Sequence, residues 1–263
     1  MEGQSALRLN LSAVYVLWKR DMVRFFRQRS RVVGALGQPV LMWFVLGSGL
    51  AGSFRVPGAG DMDYHTYFYP GVVVMIVLFT AIFTTISVIE DRHEGFLQAV
   101  IAAPASRASL VMGKILGSTT VAMLQAAFFL MLAPLAGYPY GVIEWFVLGQ
   151  ALLLTGMSLT ALGFVIAWVI DNVQGYHAIM MIVLMPLWLL SGAAFPVEGA
   201  SPWMQWVMKL NPVTYSVEAV RLAIAGSRGS PQLQVMLARD MIILIVFTLF
   251  MLTSAVMFCR RRV

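Results

Sequence analysis

Apolar residues along this chain are gathered into six long blocks separated by shorter polar gaps. The blocks cover residues 32–54, 68–89, 110–136, 145–170, 175–195 and 241–259. Each approaches or exceeds the roughly 20 residues that cross the hydrocarbon core of a bilayer. Backbone groups in lipid must pair within their own segment, so blocks of this length read as helices. Pro39, Pro134 and Pro186 lie inside or near the ends of blocks, and Pro186 predicts a kink in the fifth. Lys114 stands near the start of the third, where its stem can snorkel. Gly113 and Gly117, four apart, permit another helix to approach closely.

Two regions outside the blocks also carry a pattern. Met1 to Asn10 reads as a loose tail. From Leu11 to Arg31, Leu11, Val14, Tyr15, Trp18, Met22, Phe25 and Phe26 recur at helical spacing, with Lys19, Arg20, Arg24, Arg27 and Arg31 between them. This predicts a basic amphipathic helix in the membrane interface. Between the fifth and sixth blocks, Ser201-Pro202 opens a helical stretch that Asn211-Pro212 breaks. A second stretch, Val213 to Ala225, runs up to Gly226. Trp203, Met204, Trp206 and Val207 are too apolar for a free loop, so a half-buried, re-entrant helical hairpin at the outer face is expected.

Composition agrees with the blocks. The chain is 60% hydrophobic and 11% charged, against about 45–50% and about 25% in soluble domains. The net charge of +6 sits largely in clusters flanking apolar runs, Lys19 to Arg31 and Arg260 to Arg262. That distribution fits membrane anchors and not a nucleic-acid surface. Cys259 is the single cysteine, so no intrachain disulfide forms. The first block, behind Arg31, exceeds the roughly 7–15 residues of a signal-peptide core and reads as a retained anchor. Lys and Arg counts in the gaps place both termini and the Glu90–Arg107 gap in the cytoplasm, with Arg239 counting against.

The candidate chemistry is sparse. His65, His93 and His177 show no metal-ligand spacing, and no metal or cofactor is expected on this chain. The closest string to a P-loop, Ala108 to Ile115, lacks the first glycine and the final Ser/Thr, so the chain is not read as an enzyme. Acidic residues fall at block ends: Glu90, Asp91, Glu144, Asp171 and Asp240. Glu144 and Asp171 read as interfacial groups. Gln38, Phe44, Thr84, Thr85 and Met185 are candidates for a substrate path, from polar groups inside blocks and adaptable apolar ones.

Three stretches, in this order and spacing, resemble the permease subunit of ABC-2 type transporters. The first is Glu90-Asp91-Arg92-His93-Glu94-Gly95-Phe96-Leu97-Gln98, running to Pro104. The second is Ser191-Gly192 through Phe195-Pro196, then Pro202-Trp203. The third is Leu210-Asn211-Pro212-Val213-Thr214-Tyr215, leading to Glu218 and Arg221. Gln98 departs from the glutamate often found there, and Phe96 from a Thr or small residue.

The resemblance implies an all-α integral membrane protein of six transmembrane helices. Residues 1–31 would form the tail and interfacial helix, and residues 32–263 the transmembrane domain, with a cytoplasmic coupling helix between spans 2 and 3. It further implies two ATPase subunits that use ATP and Mg2+, a second permease chain in a homodimer or heterodimer, and the inner (plasma) membrane as location. Glu90, Asp91 and Arg92 are then expected to make charged rim contacts with the ATPase. Glu94 to Ala102 would form the docked helix, with Gly95 allowing close approach, Phe96, Leu97 and Val100 anchoring and Pro104 ending it. Pro196, Asn211, Pro212, Tyr215, Glu218 and Arg221 are expected at an outer gate, with Arg221 paired to Glu218 or Glu198. The expected cargo is a hydrophobic or amphipathic small molecule. A polysaccharide or lipid-linked glycan, or a non-transporting scaffold role, are the alternatives.

Overall fold

The computed structural model describes residues 2–50, 62–98 and 105–261. Among them the regular elements are helical: α1 (Glu2–Arg27), α2 (Arg29–Leu50), α3 (Tyr64–His93), α4 (Arg107–Leu130), α5 (Trp145–Val169), α6 (Val173–Trp188), α7 (Pro202–Leu210), α8 (Pro212–Ala225) and α9 (Pro231–Arg261). A π turn, Leu189–Ala193, continues α6, and short 3-10 turns lie at Ala133–Ala136 and Val197–Gly199. Six helices are long and apolar enough to span a bilayer: α2, α3, α4, α5, α6 with its π turn, and α9.

The boundaries differ from the apolar blocks where local chemistry overrides composition. α4 ends at Leu130, and Pro134 sits in the 3-10 turn that Gly137 closes at φ 86°. α9 starts at Pro231, well before the sixth block, because proline's fixed φ suits the first helical position. The fifth block breaks just after Pro186: Leu190 leaves helical geometry and Gly192 takes φ 78°. A left-handed φ of this kind favours glycine, which has no Cβ to clash.

α3 is the axis of the bundle. It is apolar on all sides, so it is stable only when surrounded. Its apolar stretch is 94% buried, against 22% for α2 and for α9. α2, α4, α5, α6 and α8 all pack on it. Trp43 of α2, Tyr69 of α3 and Phe129 of α4 form an aromatic cluster with centroids 4.9–5.6 Å apart.

α1 departs most from expectation. The residues read as a loose tail are helical from Glu2, and Asn10 Oδ1 accepts a hydrogen bond from the Ser106 N–H at the start of α4 (2.8 Å). α1 then runs along α4 with Leu17 and Asp21 lying over Gly113 and Gly117. A Cβ on Gly113 would fall 2.8 Å from Leu17 Cβ, and one on Gly117 3.2 Å from Asp21 Cβ. The small-residue pair is therefore a helix crossing. Trp18 Nε1 donates to Thr120 Oγ1 at 3.0 Å. The face used is rotated from the predicted one. Leu17, Asp21 and Phe25 are buried, whereas Leu11, Tyr15 and Phe26 are exposed.

α7 and α8 follow one another across Asn211 as a helical pair, here called the hairpin, and are buried unequally. α8 is buried against α3, α5, α9 and the π turn. α7 buries only Met208 and leaves Trp203, Trp206 and Leu210 exposed.

Candidate functional site

The two sequence-predicted sites lie at opposite ends of α3. At the charged end, the last turn of α3 brings Asp91 into the core, where none of its surface is exposed. Arg20 donates to it through both Nη atoms (2.8 and 2.7 Å), Arg24 Nη1 at 2.8 Å and Lys114 Nζ at 2.5 Å. Lys114, itself buried, also donates to Asp21 Oδ1 (2.9 Å) and Ser87 Oγ (3.1 Å). Arg24 reaches Glu90 at 2.9 Å and Glu94 at 3.3 Å. The cluster thus joins α1, α3 and α4 with three cations and four carboxylates. Burial pushes the Asp21 carboxyl up from its ordinary value, while the Lys114 ammonium opposes the shift.

Two readings are corrected here. Asp91 is not a rim residue, because its carboxylate is enclosed by the chain's own cations. Lys114 does not snorkel, because two buried carboxylates hold its ammonium inside. Arg92 is also engaged internally. It donates to Asp171 Oδ1 at 2.7 Å and to the Trp168 carbonyl at 2.9 Å, so a cation closes the carbonyl end of α5. His93 Nε2 lies 2.6 Å from the Asp171 carbonyl oxygen.

Beyond His93 the chain turns sharply. Gly95 takes φ 73°, and a Cβ there would meet nothing within 4 Å. Its glycine is explained by backbone conformation and not by close approach within this chain. A new helical turn starts at Phe96. The Arg20 guanidinium stacks 3.7 Å from the Phe96 ring, and Leu97 is buried in the chain's own core, so Leu97 does not present itself as an anchor for another protein. Glu94 and Gln98 are exposed. Val100 and Pro104 lie outside the described residues.

At the hairpin end, Asn211 does three jobs. Its Oδ1 accepts the Val213 N–H (2.9 Å) and caps α8. Its Nδ2 donates to the carbonyls of Leu187 (2.5 Å) and Leu190 (2.9 Å), two of those exposed by the break after Pro186. Pro212 holds the first position of α8, and Pro196 precedes a 3-10 turn. Tyr215 donates to the Lys209 carbonyl at 2.7 Å.

The expected partner of Arg221 is also corrected. It donates to the Gly192 carbonyl at 2.9 Å and stacks 4.3 Å over Tyr67, whose hydroxyl donates to the same carbonyl at 2.7 Å. Glu218 pairs instead with Arg239 at 3.2 Å. The π turn projects the Gly192 carbonyl toward Arg221, and a helix offers no free carbonyl there. Gly71 lets Ala193 pack on α3, since a Cβ would lie 2.7 Å from Ala193 Cβ and 2.8 Å from its Cα. Trp188 Nε1 donates to the Gly71 carbonyl at 2.9 Å.

The five substrate-path residues do not converge. Gln38 and Phe44 sit on the exposed face of α2. Thr84 bonds back to the Thr80 carbonyl, and Thr85 is buried with its hydroxyl on Tyr176 at 2.5 Å. Met185 is half-buried on α6. Sequence reasoning missed Asp21 and Ser87 as partners of Lys114. The available signal was two opposite charges, Asp21 and Lys114, each within a largely apolar helical pattern.

Comparison with known proteins fits this architecture. The chain is 25% identical to a putative transport permease ycf38 of Cyanophora paradoxa, over 82% of this chain and 76% of that one. It is 26% identical to Nodulation protein J of Rhizobium leguminosarum bv. trifolii, over 81% and 78%, and 23% identical to ycf38 of Pyropia yezoensis, over 80% and 73%. The model of the ABC-2 type transporter family matches residues 12–225, which carry most of α1, the charged cluster and the whole α7–α8 hairpin, and the chain therefore belongs to that family of membrane permeases.

Proposed function

We propose that this chain is the permease half of an ATP-driven exporter, and that ATPase motion enters through the segment from Glu90 to Pro104. The observation that carries this reading is the wiring of Asp91. The turn from Glu94 to Gln98, exposed at both ends, leads directly into a buried carboxylate tied to α1 and α4. Force on the turn reaches three helices together, because separating any of them leaves a buried charge unpaired. Glu94 and Gln98 are the groups placed to meet the ATPase, with the Phe96 ring, capped by Arg20, behind them.

In this reading two ATPase subunits use ATP and Mg2+ below the charged end. That end and both termini face the cytoplasm of the inner (plasma) membrane, and the hairpin enters the membrane from the opposite face. A second permease chain, identical or homologous, completes the path along exposed faces such as that of Gln38 and Phe44 on α2. The cargo is a hydrophobic or amphipathic small molecule. Thr80, Gln125, Thr85, Tyr176 and Thr155 are engaged inside the bundle, which favours an apolar route over a hydroxyl-lined one suited to a glycan.

The test is reconstitution of the chain with an ABC ATPase that co-purifies with it. Gly95→Val, which strains the turn at φ 73°, and Phe96→Ala, which removes the ring behind Glu94 and Gln98, are each expected to cut ATP-driven efflux of an amphipathic dye by about tenfold or more, with ATP binding retained. Wild-type efflux by both variants, or no co-purifying ATPase, defeats the reading.

A further inference from the structure

α5 and α9 run side by side from the hairpin end to the charged end, and they do not pack evenly. They close where Thr248 Oγ1 donates to the Leu154 carbonyl at 3.2 Å. Above that point, toward the hairpin end, they bound a groove of about 560 Å³. Glu144 and Gln234 stand at the end of the groove nearer the hairpin, Gln150 lies between, and Leu154, Met241 and Ile245 lie at its far end. From Glu144 to Leu154 is about 15 Å of helix at about 1.5 Å per residue. That is the depth over which a lipid passes from headgroup to acyl chain.

Glu144 is the specific feature. Its side chain is 7% exposed. Oε1 accepts the Ser227 N–H (2.6 Å), the Ser227 hydroxyl (2.9 Å) and the Arg228 N–H (3.1 Å). Oε2 has only Arg228 Nε at 3.8 Å, beyond hydrogen-bond distance. One oxygen is thus fixed by the loop, and the other lacks a donor in a residue that lines the groove. Burial raises the pKa of this carboxyl, but the Ser227 and Arg228 donors outweigh it and hold it below the ordinary glutamate value. The group is therefore an anion. The Arg228 side chain beside it is 81% exposed and presents a cation to the same end.

The geometry points to a binding site for a zwitterionic phospholipid with a primary amine in its headgroup. The ammonium takes Glu144 Oε2, the phosphate takes the Arg228 guanidinium, and an acyl chain lies along Leu154, Met241 and Ile245. An anion and a cation side by side above an apolar slot match the charge order of that headgroup. A quaternary amine has no N–H to give Glu144, and a glycerol headgroup has no positive charge. The site is independent of the energy-coupling reading, since it lies at the other end of the bundle.

The full-length chain is placed in nanodiscs holding equal phosphatidylethanolamine, phosphatidylcholine and phosphatidylglycerol, and lipids retained after ejection from the disc are counted by native mass spectrometry. Retention of phosphatidylethanolamine is expected to exceed each of the others by about tenfold, the worth of one charge-assisted hydrogen bond. Glu144→Gln, which keeps an acceptor for Ser227, is expected to bring the three to parity. Ala238→Trp fills the groove away from the Glu144 loop and is expected to lower retention of all three. Arg228→Gln, at an exposed position, removes the partner of the phosphate that all three lipids share and is expected to lower retention of each while leaving the preference in place. Equal retention by the wild type, a preference unchanged by Glu144→Gln, or retention unaffected by Ala238→Trp overturns the site. So does efficient cross-linking of Ile245→Cys to a second copy of the chain, which would make the groove a subunit contact.

Discussion

At the end of α3 that carries Asp91, three helices meet through seven ionisable side chains. At the end that carries Tyr67, helices meet through backbone carbonyls, one asparagine and one guanidinium. The difference follows from what each end must satisfy. The charged cluster joins stretches of intact helix whose backbone groups are already paired, so it is made by side chains. The hairpin end contains a broken helix, and its freed carbonyls must find donors in a poorly hydrated place. Asn211, Tyr67 and Arg221 supply them. An ionic joint is all-or-none, because each member leaves partners unpaired when removed. A carbonyl joint shared among several donors gives way in smaller steps.

That contrast can be broken at Lys114. Lys114→Met leaves Asp21 and Asp91 facing each other without the ammonium, and a loss of about 3–5 kcal/mol is expected, as for any buried pair deprived of one partner. Thermal unfolding of the purified chain reads it, and adding Asp21→Asn is expected to recover part of the loss. A change no larger than that of a surface lysine would show the cluster to be hydrated.

Steric substitutions probe both joints without touching charge. Gly71→Val drives a side chain into the Ala193 backbone, and Gly113→Val drives one into Leu17. Each is expected to cost about 1–3 kcal/mol, the range for overpacking. Their consequences should diverge. The Gly113 variant detaches α1 and exposes it to protease, whereas the Gly71 variant displaces the π turn and leaves α1 protected.

Asn211→Leu removes the cap of α8 and the donors to Leu187 and Leu190, and about 1–3 kcal/mol is expected from the unmade bonds. Nucleotide affinity of the assembled complex should be unchanged. A tighter sharing of load predicts less for Arg221→Gln, since Tyr67 still donates to Gly192; differential melting of the two variants decides the order.

The smallest effect concerns pH. The folded pKa of Asp21 is raised above its ordinary 3.8, chiefly by burial. Its contribution to stability is therefore complete below 3.8 and is lost as pH rises through the raised folded value. Asp21→Asn is expected to flatten the melting profile over that window, and a slope unchanged by the substitution would remove Asp21 from the account.

Much of this molecule was legible in the order of its residues. Six apolar blocks, each near or above the roughly 20 residues that cross a bilayer, marked six helices. Asn211-Pro212 and Gly226 fixed the hairpin, because proline and left-handed glycine act within a few residues of themselves. The Gly113–Gly117 spacing marked a crossing but not its partner. What periodicity left open was direction. The apolar face of α1 mixes residues that pack on α4 with residues that remain exposed, and only the α4 glycines decided that Leu17 and Phe25 go inward while Leu11 and Tyr15 do not. The roles of charged residues were the least legible. Asp91, Lys114 and Glu144 each looked like a group at the end of an apolar run. Their partners Arg20, Asp21 and Ser227 lie 71, 93 and 83 residues away in sequence. Whether a charge at a helix end meets water or a buried counter-charge depends on which helix lies beside it. Hydrophobic spacing says how many helices there are, and the packing of their small residues decides which ones touch.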